Sequence, residues 1–145
     1  MFTIQTAKKW FAALAKVLEE NKNRLTDLDT AIGNAATPAE FGKAFSLGVD
    51  GIIQIGHSKP GEKTMLDALI PALEAAQQSI ESNVDFNAAL LPASEAARIG
   101  ADSTVPMLAV KGRASYLGVR SIGYMDPGAF SAYLILRTLA ELRDQ

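Results

Sequence analysis

Residues 111–129 read Lys-Gly-Arg-Ala-Ser-Tyr-Leu-Gly-Val-Arg-Ser-Ile-Gly-Tyr-Met-Asp-Pro-Gly-Ala. Four of the chain's eleven glycines fall here, Gly112, Gly118, Gly123 and Gly128. Their spacing of five to six residues fits neither the helical nor the strand period. Glycine at such intervals permits positive φ and close approach of the backbone to another group. The stretch therefore predicts an ordered, non-helical loop, and the alanine- and leucine-rich segments on either side predict helices. A loop held between helices is a place where a ligand is expected; the plain alternative is a solvated connector.

Downstream, Asp126 caps a last helix with Pro127 at its first position, and Phe130, Tyr133, Leu134, Leu139 and Leu142 form its predicted buried face. Upstream, Gly100 to Pro106 is predicted to break a helix that Asp85 caps and that Phe86, Leu90, Ala93 and Ala97 pack with small side chains. Before it, Met65, Leu66, Leu69, Ile70, Leu73, Ala76 and Ile80 carry an apolar stripe to about Glu81, with Pro71 as a kink. His57 to Lys63 is a polar loop with a Pro60-Gly61 turn. Thr37-Pro38-Ala39-Glu40 has the cap residue, the proline and the glutamate of a capping box, so a helix starts there and runs through Phe41, Phe45, Val49, Ile52 and Ile53 to about Gly56. Trp10, Phe11, Leu14, Val17 and Leu18 mark a first amphipathic helix. The phase resumes at Leu25, Leu28 and Ile32 and stops at Gly33-Asn34. No segment alternates with period two. The predicted class is all-α, an antiparallel bundle of about six helices in a single domain spanning residues 1–145.

Composition narrows the function. A net charge of −2 with 21% charged residues gives no basic face for nucleic acid. Cysteine is absent, which removes disulfides, thiol nucleophiles and cysteine metal sites. The amino-terminal residues lack the basic-then-apolar order of a signal peptide, and no apolar run reaches membrane-spanning length, so the expectation is a soluble cytoplasmic protein.

Three loops stand out: Leu28 to Asn34, His57 to Thr64 and Lys111 to Gly128. In an up-and-down bundle alternate loops share an end, so these are expected to converge at one rim. There Asp29 and Asp126 would supply carboxylates, Lys59, Lys63, Arg113 and Arg120 cations, and the glycines amide donors, which together suit a phosphate or nucleotide site. Asp126 reads first as a helix cap. His57, the one histidine, reads as solvated. Ser115, Ser121 and Ser131 have no histidine at triad spacing, and both the Walker loop and the Gly-x-Gly-x2-Gly loop are missing.

Gly-Arg-Ala-Ser-Tyr-Leu-Gly at 112–118, Arg-Ser-Ile-Gly at 120–123 and Asp-Pro-Gly-Ala at 126–129 resemble the signature of the nucleotide-binding L subunit of dihydroxyacetone kinases, the DhaL type. Lys-Pro-Gly-Glu-Lys-Thr-Met-Leu-Asp-Ala-Leu at 59–69 and Leu-Thr-Asp-Leu-Asp-Thr-Ala-Ile-Gly at 25–33 resemble two further blocks, in the family's order. The resemblance implies an α-helical barrel holding ADP or ATP with magnesium, as a kinase subunit. The acceptor would be dihydroxyacetone, or a related small ketose, on a partner K subunit. ATP or a phosphotransferase-system protein would be the phosphoryl donor. It also implies nucleotide contacts at Gly56, Met65, Arg113, Asp126, Pro127 and Gly128, and a magnesium ligand at Asp29; self-association is left open.

The departures are specific. The family continues Asp-x-Asp-His-Gly after Ile-Gly, whereas Gly33 is followed here by Asn34-Ala35-Ala36-Thr37-Pro38. Its later phosphate segment, Gly-Gly-Ala-Ser-Gly-Pro-Leu, is missing, and Val119 and Tyr124 replace glutamate and histidine. Retention of the other loops favours a molecule whose full form contains the missing stretch over a deletion that keeps only the scaffold. The rival functions are a non-catalytic helical interaction module that has lost the magnesium site, and a bundle whose interior takes an apolar ligand.

Overall fold

The structure is a computed structural model that describes residues 37–82 and 86–141. These residues belong to one compact unit of the chain. The two predicted amino-terminal helices, Asp29 and its loop, and the Asp85 cap lie outside the described residues.

Helix α1, Pro38–Gly56, begins where local chemistry dictates. The Thr37 hydroxyl accepts from the Glu40 N–H (3.2 Å), and the Glu40 carboxylate accepts from the Thr37 N–H (2.8 Å), closing the capping box in front of Pro38. The Thr37 backbone bond and then the Thr37 hydroxyl hold the Glu40 carboxyl below its ordinary pKa. A depressed folded-state pKa means that this contribution is present at neutral pH and is lost as the pH falls through the ordinary glutamate range and below. Thr37→Ala removes the cap hydroxyl and should lower stability at pH 7 by about 1 kcal/mol, as loss of an N-cap does. It keeps the backbone N–H that is the larger cause of the shift, so only the part owed to the hydroxyl–carboxylate bond should fade by pH ~3. Urea titrations at the two pH values check it. At its other end α1 stops on His57, which is exposed and left-handed (φ 47, ψ 36), with its N–H donated to the Ile53 carbonyl.

Helix α2 is Leu66–Glu81, α3 is Phe86–Ser103 and α4 is Pro127–Glu141. No strand occurs among the described residues. Successive helices run antiparallel. Ala39 to Leu47 at the start of α1 share a cavity wall with Gln77 to Glu81 at the end of α2. Gly100 near the end of α3 abuts Asp67 and Ala68 at the start of α2. Thr104, just past α3, bonds Asp126, just before α4. One rim therefore collects the carboxyl ends of α1 and α3 and the amino ends of α2 and α4, with the loops that join them. No helix among the described residues is long and apolar enough to cross a membrane.

Val49 on α1, Leu66 and Ala76 on α2, and Leu90, Ala93 and Ala97 on α3 are buried as expected, whereas the buried face of the last helix differs from the predicted one. Ala68, Ala72 and Ala76 on α2, Ala93, Ala97 and Ala101 on α3, and Ala129, Ala132 and Leu136 on α4 form the core cluster. The large residues expected to be buried on the last helix are instead partly open: Phe130, Leu134 and Leu139 are each more than one-third exposed. Alanines four apart make a flat ridge that lets helix axes approach closely, so the stabilisation comes from many short-range contacts rather than from bulky side chains. The small residues are thus spent on helix-to-helix contact. α3 ends at Ser103, inside the expected break of Gly100 to Pro106, and runs through Gly100 itself. Gly100 is there because α2 leaves no room for a side chain, not because the helix ends.

Candidate functional site

The rim is built from two loops. The first, residues 57–65, is folded onto the start of α2 by Asp67, whose buried carboxylate accepts from the Gly61 N–H (2.5 Å) and the Thr64 N–H (2.7 Å). Glu62 accepts from the Lys59 N–H (3.0 Å) and tightens the same turn. The second loop is 104–126; its stretch from Lys111 onward was expected to be non-helical, but Arg113–Ser121 winds into 3-10 turns. Glycine decides their limits. Gly112 starts them at φ 64, ψ −164, and Gly118 kinks them at φ 55, ψ −133, conformations that a side chain disfavours.

Hydroxyls pin this loop to the bundle. Ser121 donates to the Gly118 carbonyl (2.7 Å) and accepts from the Ala109 N–H (3.0 Å). Thr104, fully buried, donates to the Ala101 carbonyl (2.6 Å) and accepts from the Asp126 N–H (2.9 Å). Asp126 in turn accepts from the Ala129 N–H (2.8 Å), so it is the cap of α4, as its place before proline predicts. Between the two loops lies the Lys63 side chain, 3% exposed, with its ammonium directed at backbone carbonyls of residues 104–124.

Around this framework opens a cavity of about 450 Å³ whose lining includes Lys63, Met65, Lys111, Arg113, Asp126, Pro127 and Gly128. Five of the six expected nucleotide contacts thus stand around one opening. Gly56, the sixth, ends α1 and does not line it. Of the three loops expected to converge, the two within the described residues do meet. Arg120 faces a neighbouring, mostly apolar pocket of about 290 Å³ with Leu117, Tyr124 and Met125. Lys63 was expected to offer its charge to a ligand, yet its ammonium is consumed inside the protein. Lys111 lines the cavity and was missed, since one lysine beside a glycine carries no pattern of its own.

The donor set suits a ligand with phosphate groups and an apolar part. Met65 offers a soft apolar surface, while Arg113 and Lys111 offer cations for phosphate. It does not suit a magnesium ion alone. No group of three or more histidine or acidic side chains that could hold a metal occurs among the described residues. Asp126, the cavity's carboxylate, is already engaged as a cap.

Comparison with known proteins matches residues 8–141 to the DAK2 domain. The chain belongs to the DAK2 domain family. It is 45% identical over 111 residues to the PEP-dependent dihydroxyacetone kinase, ADP-binding subunit DhaL of Escherichia coli, covering 77% of this chain and 53% of that protein. A DhaL subunit of Listeria innocua is 33% identical over 108 residues, covering 72% of this chain and 50% of its own. The L-erythrulose 1-kinase of Mycolicibacterium smegmatis is 34% identical over 116 residues, covering 80% of this chain and 19% of that enzyme. This DAK2 domain chain therefore spans about half the length of the DhaL subunits it matches.

Proposed function

We propose that this DAK2 domain binds ADP or ATP as the nucleotide-carrying subunit of a cytoplasmic dihydroxyacetone-type kinase. The observation that carries the reading is the cavity of about 450 Å³ around which Met65, Arg113, Asp126, Pro127 and Gly128 are assembled. On this reading Met65 packs against the base. Arg113 and Lys111 offset phosphate charge, and the amino end of α4 adds its dipole. The phosphoryl group would pass between the nucleotide and dihydroxyacetone, or a related small ketose, held on a K subunit. The donor would be ATP or a phosphotransferase-system protein. Transfer would rest on positioning and charge neutralisation rather than on a covalent protein nucleophile. Magnesium would supply phosphate charge neutralisation when bound with the nucleotide, with Asp29 as the candidate ligand from this chain.

Calorimetric titration and thermal melting with ADP test the reading. Saturable binding should raise stability by about 2.7 kcal/mol at a ligand concentration of 100 Kd, and no shift at millimolar ADP would refute it. A second reading, a helical interaction module without a magnesium site, is favoured by the lack of an acidic cluster among the described residues. The same titration separates the two. Binding that tightens with magnesium supports the kinase subunit, and failure to bind with or without the metal supports the module.

A further inference from the structure

Lys63 has φ 61, in the left-handed region where glycine is favoured, and the same loop uses glycine at position 61 (φ 85). A lysine kept in that conformation despite its Cβ is kept for its side chain. The ammonium lies 2.6 Å from the Tyr124 carbonyl, 2.7 Å from Ser121, 3.0 Å from Thr104 and from Met107, and 3.5 Å from Val105. An ammonium has three protons, so five carbonyls surround it as oxygens surround a bare monovalent cation, rather than pairing one to one.

The five carbonyls come from two stretches, residues 104–107 after α3 and residues 121–124, which begin on the last residue of the 3-10 turns. Each stretch leads directly to a cavity wall. Ser121 ends the turns that begin at Arg113, Tyr124 stands two residues before Asp126, and the Thr104 hydroxyl accepts from the Asp126 N–H. The two stretches share one direct bond, from the Gly123 N–H to the Val105 carbonyl (2.8 Å), and the Met107 N–H also reaches the Thr104 carbonyl (3.1 Å). Without a cation at the centre the remaining carbonyl dipoles would face one another uncompensated, and the two stretches would loosen about that bond.

We propose that Lys63 is the positioning residue of the nucleotide cavity: a tethered monovalent cation whose carbonyl cage sets the spacing between the Arg113 turns and the Asp126 cap. The role in nucleotide binding rests on the function proposed above, whereas the cage itself does not.

The absence of cysteine makes a direct test available, because Lys63→Cys introduces a single thiol. The variant is alkylated in denaturant and then refolded. With 2-bromoethylamine the thiolate displaces bromide and forms a C–S bond, which restores an ammonium at nearly the length of lysine; 1-bromopropane gives a neutral chain of the same length. The aminoethyl form should bind ADP within about twofold of the unmodified protein, and the propyl form about tenfold more weakly with a lower Tm. Equal behaviour of the two forms would overturn the proposal. Lys63→Gly supplies the independent arm, since it suits the left-handed backbone and leaves the cage open. Ammonium chloride should raise its Tm and its ADP affinity more than choline chloride at equal ionic strength. Equal effects of the two salts would overturn the cage. A selective rise in Tm with no gain in ADP affinity would overturn the positioning role. If the unmodified protein does not bind ADP, the proposed function fails, while the salt-selective Tm of Lys63→Gly still reads the cage.

Discussion

Replacing Gly100 with alanine should lower folding stability by about 3 kcal/mol and Tm by roughly 10 °C, at the upper end of what one added methyl does in a packed interior. A Cβ at this position would overlap the Asp67 carbonyl oxygen and lie 2.9 Å from the Ala68 Cα and 3.0 Å from the Asp67 carbonyl carbon. All three are backbone atoms, so no side chain can rotate away and α2 and α3 must move apart. The closeness has a cause in the sequence of α2. Pro71 has no N–H to offer the carbonyl four residues earlier, which is that of Asp67, and its ring pushes that carbonyl outward. Gly100 lets α3 close over the displaced oxygen, where a Cα–H contact is available. Separating the helices would also move Asp67, whose carboxylate holds Gly61 and Thr64, so ADP binding should weaken together with stability. Gly51 is the control of opposite sign. It lies within α1, and a methyl group added to it would meet nothing within 4 Å, so alanine there should stabilise by about 0.5 to 1 kcal/mol. Urea denaturation of the two variants decides the matter, and a Gly100→Ala protein within about 1 kcal/mol of the parent would show that the helices have room to spare.

The same position shows what the sequence could and could not convey. Helix starts were legible because their chemistry is local: Thr37, Pro38 and Glu40 lie within one turn, as do Asp126, Pro127 and Ala129. The path of α3 through Gly100 was not legible, because the reason for a glycine there is a carbonyl on another helix, placed by a proline far away in sequence. The buried face of the last helix was misread for a related reason. Hydropathy weights Phe130 and Leu134 above Ala129 and Ala132, but close approach of helices selects small side chains for the interface and leaves large ones at its margins. In the site, glycine spacing and the Asp126-Pro127-Gly128 turn marked the loop that borders the cavity. The 3-10 turns within it follow from tertiary anchoring of Ser121 by Ala109. The cage around Lys63 was hidden more deeply, since its carbonyl partners stand 41 to 61 residues away and carbonyls leave no mark on a sequence.

Arg113→Ala should weaken ADP binding by roughly tenfold to a hundredfold, the loss of about 1.5 to 3 kcal/mol that accompanies removal of a charged hydrogen-bond partner. The position favours a clean result. Arg113 is exposed at the first residue of the 3-10 turns and faces the cavity, so its truncation should leave Tm in the absence of ligand nearly unchanged. That separates it from the Lys63 variants, in which stability and affinity are expected to fall together. Arg113→Lys should recover only part of the loss, because an ammonium keeps the charge but not the planar fork that grips two phosphate oxygens. The electrostatic share should also be visible as salt dependence. At high ionic strength the parent protein should lose more ADP affinity than Arg113→Ala does, because the variant lacks one of the cations that salt would screen. Calorimetric titration of ADP at low and high salt against the parent, Arg113→Ala and Arg113→Lys gives all of these comparisons. Unchanged ADP affinity in Arg113→Ala would place the phosphates away from this turn, leaving Lys111 and the amino end of α4 as the groups to examine.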